Sequence, residues 1–230
     1  MSIFAVIPAG GKGTRSGFTL PKQYLKVNGK ELIAYTFEVF QNNRSVDDIT
    51  VSADPYYFDL LKDIKKKYSL SKLNHFIEGG NERQDSVYNS IKSLPALPND
   101  IVIVHDAARP LLPEKILAHA ISTAKEKGNA VVCIKAKDTL IRGNVIVEKY
   151  LDREQVFYVQ TPQLFTYSVL KKAFAKAYND KFYGTDESML VRRLREKINV
   201  ADGSVFNFKV TSQEDFELLT KLIGHQLPGA

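Results

Sequence analysis

The sequence predicts an α/β fold: a mostly parallel sheet with helices on both faces and one inserted β-hairpin. Three observations carry that expectation. Short apolar runs alternate with helical patterns along the 230 residues, the order expected of βαβ units. The first apolar run opens directly into a glycine-rich, cationic loop, the place where nucleotides bind in α/β sheets. A hydrophobic content of 44% with 25% charged residues excludes a disordered or fibrous chain. No repeat, low-complexity tract or Pro/Gly/Ser linker interrupts the pattern, so one domain over 1–230 is expected, with an arm at 136–156.

Taken in order, strands are expected at FAVI (4–7), ITVSA (49–53), HFIE (75–78), IVIVH (101–105), AVVCI (130–134), FYVQ (157–160), INVA (198–201) and FNFKV (206–210). Helices are expected near 31–41, 55–68, 83–93, 113–127, 166–179, 186–195 and 212–223. Helix 31–41 carries Leu32, Ile33, Tyr35, Phe37, Val39 and Phe40, too broad an apolar face for solvent alone. Lys65, Lys66 and Lys67 complement the dipole at the end of the second helix. Ser212 reads as the N-cap of the last, with Asp215 three residues on. Residues 136–156 break the alternation: Arg142-Gly143-Asn144 is a turn signal between two β-rich pieces. A hairpin of that size cannot bury both faces by itself, so it is expected to pack on a second subunit.

The formal charge is +6, which favours polyanionic partners. Basic residues are not interleaved with aromatics along one stripe, which argues against nucleic acid. There is no apolar run of transmembrane length and no signal-peptide pattern at the N-terminus. The lone Cys133 lies in an apolar run and cannot form an internal disulfide. A cytoplasmic protein is expected.

The stretch from Ile7 to Gln23 holds the most chemistry. Gly10, Gly11, Gly13 and Gly17 let a backbone nest approach an anion, and Lys12, Arg15, Lys22 and Lys26 surround it. It is not a P-loop, because Lys12 is followed by Gly13 rather than a hydroxyl residue. Nor is it a dinucleotide fingerprint: Gly11, Gly13 and Gly17 have the wrong spacing, and Pro21 interrupts the helix that would have to follow.

Other constellations fall at strand ends. GGNERQDSV (79–87) follows the third strand; there Asn81 can meet a base edge or simply cap the helix, leaving Arg83 exposed. HDAARP (105–110) follows a buried strand, and Asp106 can hold a divalent cation or a sugar hydroxyl. Arg109 either contacts a ligand or clasps Asp106, and His105 reads as a satisfied histidine near the core. QTPQLF (160–165), GTDES (184–188) and FKVTSQED (208–215) also end strands or start helices, and Lys209 is expected to point from a late strand toward Lys22. No Ser/His/Asp or Cys/His nucleophile set is present. A phosphate nest, several cations and one placed aspartate suit direct nucleotidyl transfer.

PAGGKGTRSG…LPKQ, GGNERQDSV, VHDAARP, DT (138–139), DR…TPQ (152–163), TDE (185–187) and KVT…ED (209–215) occur here in the order seen in the 2-C-methyl-D-erythritol 4-phosphate cytidylyltransferases, and the sequence resembles that family from Ile7 to Asp215. The resemblance implies a Rossmann-like dimer with a β-arm, dependent on Mg²⁺. It also implies a reaction that joins CTP to 2-C-methyl-D-erythritol 4-phosphate and releases pyrophosphate in isoprenoid precursor synthesis.

Carried over residue by residue, it implies four catalytic cations. Arg15 and Lys22 would act at the α-phosphate, while Arg153 and Lys209 would position the phosphate of the substrate. Pro8, Ala9, Gly10, Gly11, Lys12 and Gly13 would wrap the triphosphate. Gly80, Asn81, Arg83 and Ser86 would recognise cytosine and ribose. Asp106, beside Ala107, would be shared by nucleotide, metal and sugar alcohol. Arg109, Thr139, Thr161 and Thr185 complete the implied substrate set, with Thr139 and Arg153 coming from the partner's arm. PAGGKGTR departs from the PAAGxGxR of many such enzymes and is also similar to ribitol-5-phosphate cytidylyltransferases; RQDSV and HDAARP lean toward the methylerythritol enzymes. The rival classes are a non-catalytic nucleotide- or RNA-binding module and a nicotinamide oxidoreductase, the latter weakened by the failed fingerprint.

Overall fold

The computed structural model describes residues 1–11 and 20–224. The chain runs through β1 (Ile3–Pro8), a small hairpin of β2 (Lys26–Val27) and β3 (Lys30–Glu31), α1 (Leu32–Asn42), β4 (Asp48–Ala53), α2 (Phe58–Lys67), β5 (Leu73–Glu78), α3 (Arg83–Ser93) and β6 (Ile101–Val104). It continues through α4 (Glu114–Lys127), β7 (Asn129–Lys135), the arm strands β8 (Leu140–Gly143) and β9 (Val147–Leu151), and β10 (Phe157–Thr166). The last elements are α5 (Tyr167–Asn179), α6 (Glu187–Arg192), β11 (Val200–Asp202) and α7 (Gln213–Gly224).

Seven strands form the central sheet in the order β11-β7-β10-β6-β1-β4-β5. All neighbours are parallel except β10, which runs antiparallel to both β6 and β7. Alternation along the strands builds two cores. Ile3, Ala5 and Ile7 of β1 pack with Ile101 and Ile103 of β6 on one face, against Ile33 and Phe37 of α1, Leu61 of α2 and Leu117 of α4. Phe4, Val6, Val102 and Val104 face the other way, onto Val87 of α3, Phe174 of α5 and Leu190 of α6. Residues two apart on a strand share a face, so each buried strand reads as an unbroken apolar run. A smaller cluster joins Val27, Leu32, Ala108, Val210 and Leu219 of α7.

The chain leaves β1 toward β4 and β5, then returns to the other side of β1 with β6. That reversal opens a crevice at the carboxyl ends of β1 and β6, the usual ligand position in such sheets.

Several sequence expectations need correction. FNFKV is not a strand: 203–210 is irregular, with a turn closed by Asn207 N–H on Ser204 C=O at 3.1 Å, while Val210 N–H bonds Ala108 C=O at 2.9 Å. Residues 160–165 do not end a strand; β10 continues through them to Thr166, with the Thr161–Pro162 peptide cis and an irregularity in its pairing with β7. The helix expected over 186–195 stops at Arg192, and Arg195 takes a left-handed backbone conformation with φ 64°. Tyr35 and Val39 are only partly buried. The β2–β3 hairpin, closed by Asn28 (φ 49°) and Gly29 (φ 81°), has the two positive φ values of a type I′ turn. Ser212 does cap α7, its Oγ accepting from Asp215 N–H at 3.2 Å while the Asp215 carboxylate accepts from Ser212 N–H at 3.0 Å.

Candidate active site

A cavity of about 900 Å³ lies at the crevice. Pro8 to Gly11 follow β1 along one wall, Asp54 and Pro55 follow β4, and Glu78 to Arg83 lead from β5 into α3. Asp106 to Ala108 follow β6, while Lys22, Lys209 and Thr211 close the remaining sides.

Gly79 and Gly80 are dictated by packing. A Cβ on Gly80 would stand 2.2 Å from the Asp85 Cβ, and one on Gly79 would meet Ser86 Oγ at 3.2 Å. The Ser86 hydroxyl holds this turn, accepting from Gly80 N–H at 3.0 Å and donating to Glu82 C=O at 3.2 Å. Asn81 does not cap α3; Glu82 does, with Glu82 N–H on the Asp85 carboxylate at 3.0 Å. Asn81 instead lines the cavity. Across from it, the buried Gln23 donates through Nε2 to Ala9 C=O at 2.6 Å and Gly11 C=O at 3.1 Å. One side chain thereby ties the glycine-rich segment to its returning end.

At the centre, Asp106 gathers three cations. Arg83 Nε donates to Oδ1 at 3.0 Å, Lys209 Nζ to Oδ2 at 3.0 Å, and Arg109 Nε reaches Oδ2 at 3.4 Å. Burial alone would raise the Asp106 pKa; Arg83, Lys209 and Arg109 outweigh it and hold the carboxyl well below the usual carboxylate range. Arg83 is partly buried rather than a solvated helix residue: it also forks onto Glu187, with Nη1 to Oε1 at 2.7 Å and Nη2 to Oε2 at 3.1 Å. Burial would lower its pKa, but Glu187 and Asp106 raise it further above the ordinary guanidinium value.

The remaining residues support this centre. Thr161 Oγ1 accepts from Asp106 N–H at 3.1 Å. Arg109 lies outside the cavity lining and acts as a clasp, with Nη1 on Asn207 C=O at 2.7 Å. Asn207 in turn donates to Thr161 C=O at 2.7 Å, so Lys209 is carried by a braced turn rather than by a strand. His105 is fully buried, packed on Phe40, with Nε2 at 3.0 Å from Arg109 C=O. Burial drives its pKa down to about 4.

The sequence profile of the 2-C-methyl-D-erythritol 4-phosphate cytidylyltransferases matches residues 3–224. The chain belongs to this family. A cytidylyltransferase of that description from Geobacter metallireducens is 36% identical over 233 residues, covering 99% of this chain and 100% of its own. One from Clostridioides difficile is 37% identical, covering 95% of this chain and 92% of its own. Among solved structures, the cytidylyltransferase of Francisella tularensis superposes with a TM-score of 0.82 at 29% identity, over 96% of this chain and 99% of that one.

Set against this cytidylyltransferase framework, Pro8, Ala9, Gly10, Gly11, Lys22, Gly80, Asn81, Arg83, Ser86, Asp106, Ala107 and Lys209 all line the one cavity. Lys12, Gly13 and Arg15 lie outside the described residues. Thr139 and Arg153 sit exposed on the arm, where Arg153 donates to Lys137 C=O at 3.1 Å, and neither lines the cavity of its own chain. Thr185 is exposed beside Met189 and does not line it either. Gln23, Asp54 and Glu187 were not foreseen. For Glu187 the only signal was its place in the TDE motif. No helix among the described residues is long and apolar enough to cross a membrane.

Proposed function

We propose that this protein transfers CMP from CTP to 2-C-methyl-D-erythritol 4-phosphate and releases pyrophosphate. One observation carries the reading: the family match spans residues 3–224 and so includes every segment that lines the cavity. The substrate's phosphate attacks the α-phosphorus in line and pyrophosphate leaves opposite. A phosphate dianion is already nucleophilic at neutral pH, so no protein base is required. Catalysis is then positioning and charge stabilisation.

In this reading the backbone around Gly10 and Gly11 cradles the triphosphate, and Lys22 with Arg15 stabilises charge at the α-phosphate. Gly80, Asn81 and Ser86 frame the nucleoside. Lys209 meets the phosphate of the sugar alcohol, moving onto it from Asp106. Asp106 fits a Mg²⁺ ion as a hard, ionised oxygen donor at the cavity wall, although its two oxygens are shared with cations. Among the described residues no group of three His, Cys, Asp or Glu could hold a metal, so phosphate oxygens and water would supply the other ligands, as is common for Mg²⁺. Such an ion would neutralise charge on the phosphates.

The proposal extends to a cytoplasmic homodimer in which each arm supplies Arg153 and Thr139 to its neighbour. The exposed apolar arm supports the dimer. Pyrophosphate release measured with each of the four nucleoside triphosphates, against 2-C-methyl-D-erythritol 4-phosphate and ribitol 5-phosphate, tests the reaction. Turnover is expected with CTP and the methylerythritol phosphate. Preference for another nucleotide, or for ribitol 5-phosphate, would overturn it.

A further inference from the structure

We infer that Glu187 is a positioning residue of this site, acting through Arg83 to fix the carboxylate of Asp106; the inference rests on the function proposed above. Glu187 is 1% exposed, at the first position of α6 and far from Asp106 in sequence. A buried carboxylate is costly unless paired, and its partner is the guanidinium of Arg83 alone among the bonds described for it. The geometry is directional. The two Nη groups of Arg83 fork onto the two oxygens of Glu187, at 2.7 and 3.1 Å, which leaves Nε aimed at Asp106 Oδ1 at 3.0 Å. A planar guanidinium held along one edge cannot rotate, so the oxygen on its other edge is fixed too.

The pair is not needed to dock α6 and the chain before it. Gln84, next to Arg83, already makes that junction, with Nε2 on Phe182 C=O at 3.1 Å and Oε1 accepting from Gly184 N–H at 2.8 Å. Gln163 of β10 adds another tie, accepting from Ser188 N–H at 2.8 Å. A buried ion pair is in any case weak evidence of stabilisation. What Glu187 adds is orientation and restraint. Without it, two Nη groups at the cavity wall would be released toward an anionic ligand, and Arg83 could turn its fork onto Asp106. Asp106 would then be drawn from the place where it meets metal and sugar alcohol. Lys209, the more exposed of its partners at 38%, stays the cation free to transfer to an incoming phosphate only while Arg83 is held back.

Three variants separate positioning from scaffolding: Glu187→Met, Arg83→Met and the double variant. Arg83→Met strands the buried Glu187 carboxylate and is expected to lower the melting temperature most, while Glu187→Met leaves Arg83 on Asp106 and should cost less. The double variant, with both charges gone, is expected to recover most of the loss seen in Arg83→Met. Activity should not recover. The double variant is expected to lose about tenfold to a hundredfold in kcat, and Glu187→Met alone, which keeps Arg83, is expected to lower kcat more than it raises the KM for CTP. A double variant that regains both melting temperature and turnover would overturn the inference. A second measurement is independent of turnover. In ¹⁵N spectra of the ligand-free protein, the Arg83 Nε–H signal should be rigid and slow to exchange, and should become mobile in Glu187→Gln. An unchanged signal would also overturn the inference. If the parent releases no pyrophosphate from CTP, the proposed function fails while these spectra still decide the role of Glu187.

Discussion

The cavity wall and the arm are built from the same chain on opposite terms. Around Asp106, four segments of sequence converge, and each charged group is held by at least one other at 3.0–3.4 Å or closer. The arm has only its own two strands. Val145 is 93% exposed and Ile146 76%, and the arm's ion pair of Arg142 with Glu148, at 3.6 Å, is open to solvent on both sides. The first region is over-determined by its own fold. The second carries apolar surface that its own chain does not cover, which is what a partner would cover. The arm is rich in charge too, but its charges are solvated; buried, mutually paired charge marks the cavity and exposed apolar side chains mark the arm.

The largest expected effect breaks the first region. Asp106→Ala strips Arg109 and Lys209 of their shared anion and leaves Arg83 with Glu187 alone, and should destabilise the fold by about 3–5 kcal/mol. Glu148→Ala on the arm should change stability by less than about 0.5 kcal/mol. Urea unfolding of both variants checks the contrast, and equal losses would erase it. Next, Lys22→Ala should lower kcat by roughly a hundred- to thousandfold, about 3–4 kcal/mol on the barrier, with a modest change in the KM for CTP. If only CTP affinity falls, Lys22 is an ordinary phosphate-binding lysine.

A pH test follows. Burial pushes the His105 pKa down to about 4 in the fold, against about 6.5 unfolded. The unfolded chain therefore binds the extra proton first as pH falls. Stability contributed by neutral His105 is complete above pH 6.5 and is lost on acidification between about 6.5 and 4, amounting to about 3 kcal/mol. Unfolding free energies across that window should lose this slope in His105→Asn. The smallest change in folding energy belongs to the arm: Val145→Glu with Ile146→Glu should leave monomer unfolding within about 0.5 kcal/mol. In sedimentation, however, the same variant should shift the protein from dimer to monomer. A parent that already sediments as a monomer would remove the contrast between the regions.

Much of this was legible in the sequence where local pattern and tertiary role agree. The α3 helix runs from Arg83 to Ser93 as its pattern predicts, because the glycine turn that launches it lies in the same short segment, although its cap is Glu82 and not Asn81. FNFKV misled for the converse reason. Its alternation of Phe206, Phe208 and Val210 imitates a strand, yet Phe206 is exposed and the backbone is spent on a turn and on Ala108. Asp106 could be singled out from its place after a buried strand. Its clasp by Arg109 could be anticipated from HDAARP, but the link from Arg83 to Glu187 could not, since those residues stand 104 apart and no local periodicity joins them. Lys209 was found through its motif, although the support it was given was wrong: a turn braced by Asn207 holds it.

The base of the arm has a consequence for how such a protein can change. β7 and β10 are antiparallel neighbours, paired at Lys135 and Phe157, and Ala136 N–H closes the next rung on Val156 C=O at 3.0 Å. Everything beyond that rung is an elongated hairpin connection whose entry and exit are stitched together inside the sheet. Doubling the length of such a connection costs only about 0.6 kcal/mol in closure entropy. The segment can therefore be extended, trimmed or exchanged as a cassette while the strands below keep their alignment. Such variation is freest at the tip, since Thr139 and Arg153, the arm residues proposed to reach a neighbouring site, lie near the base.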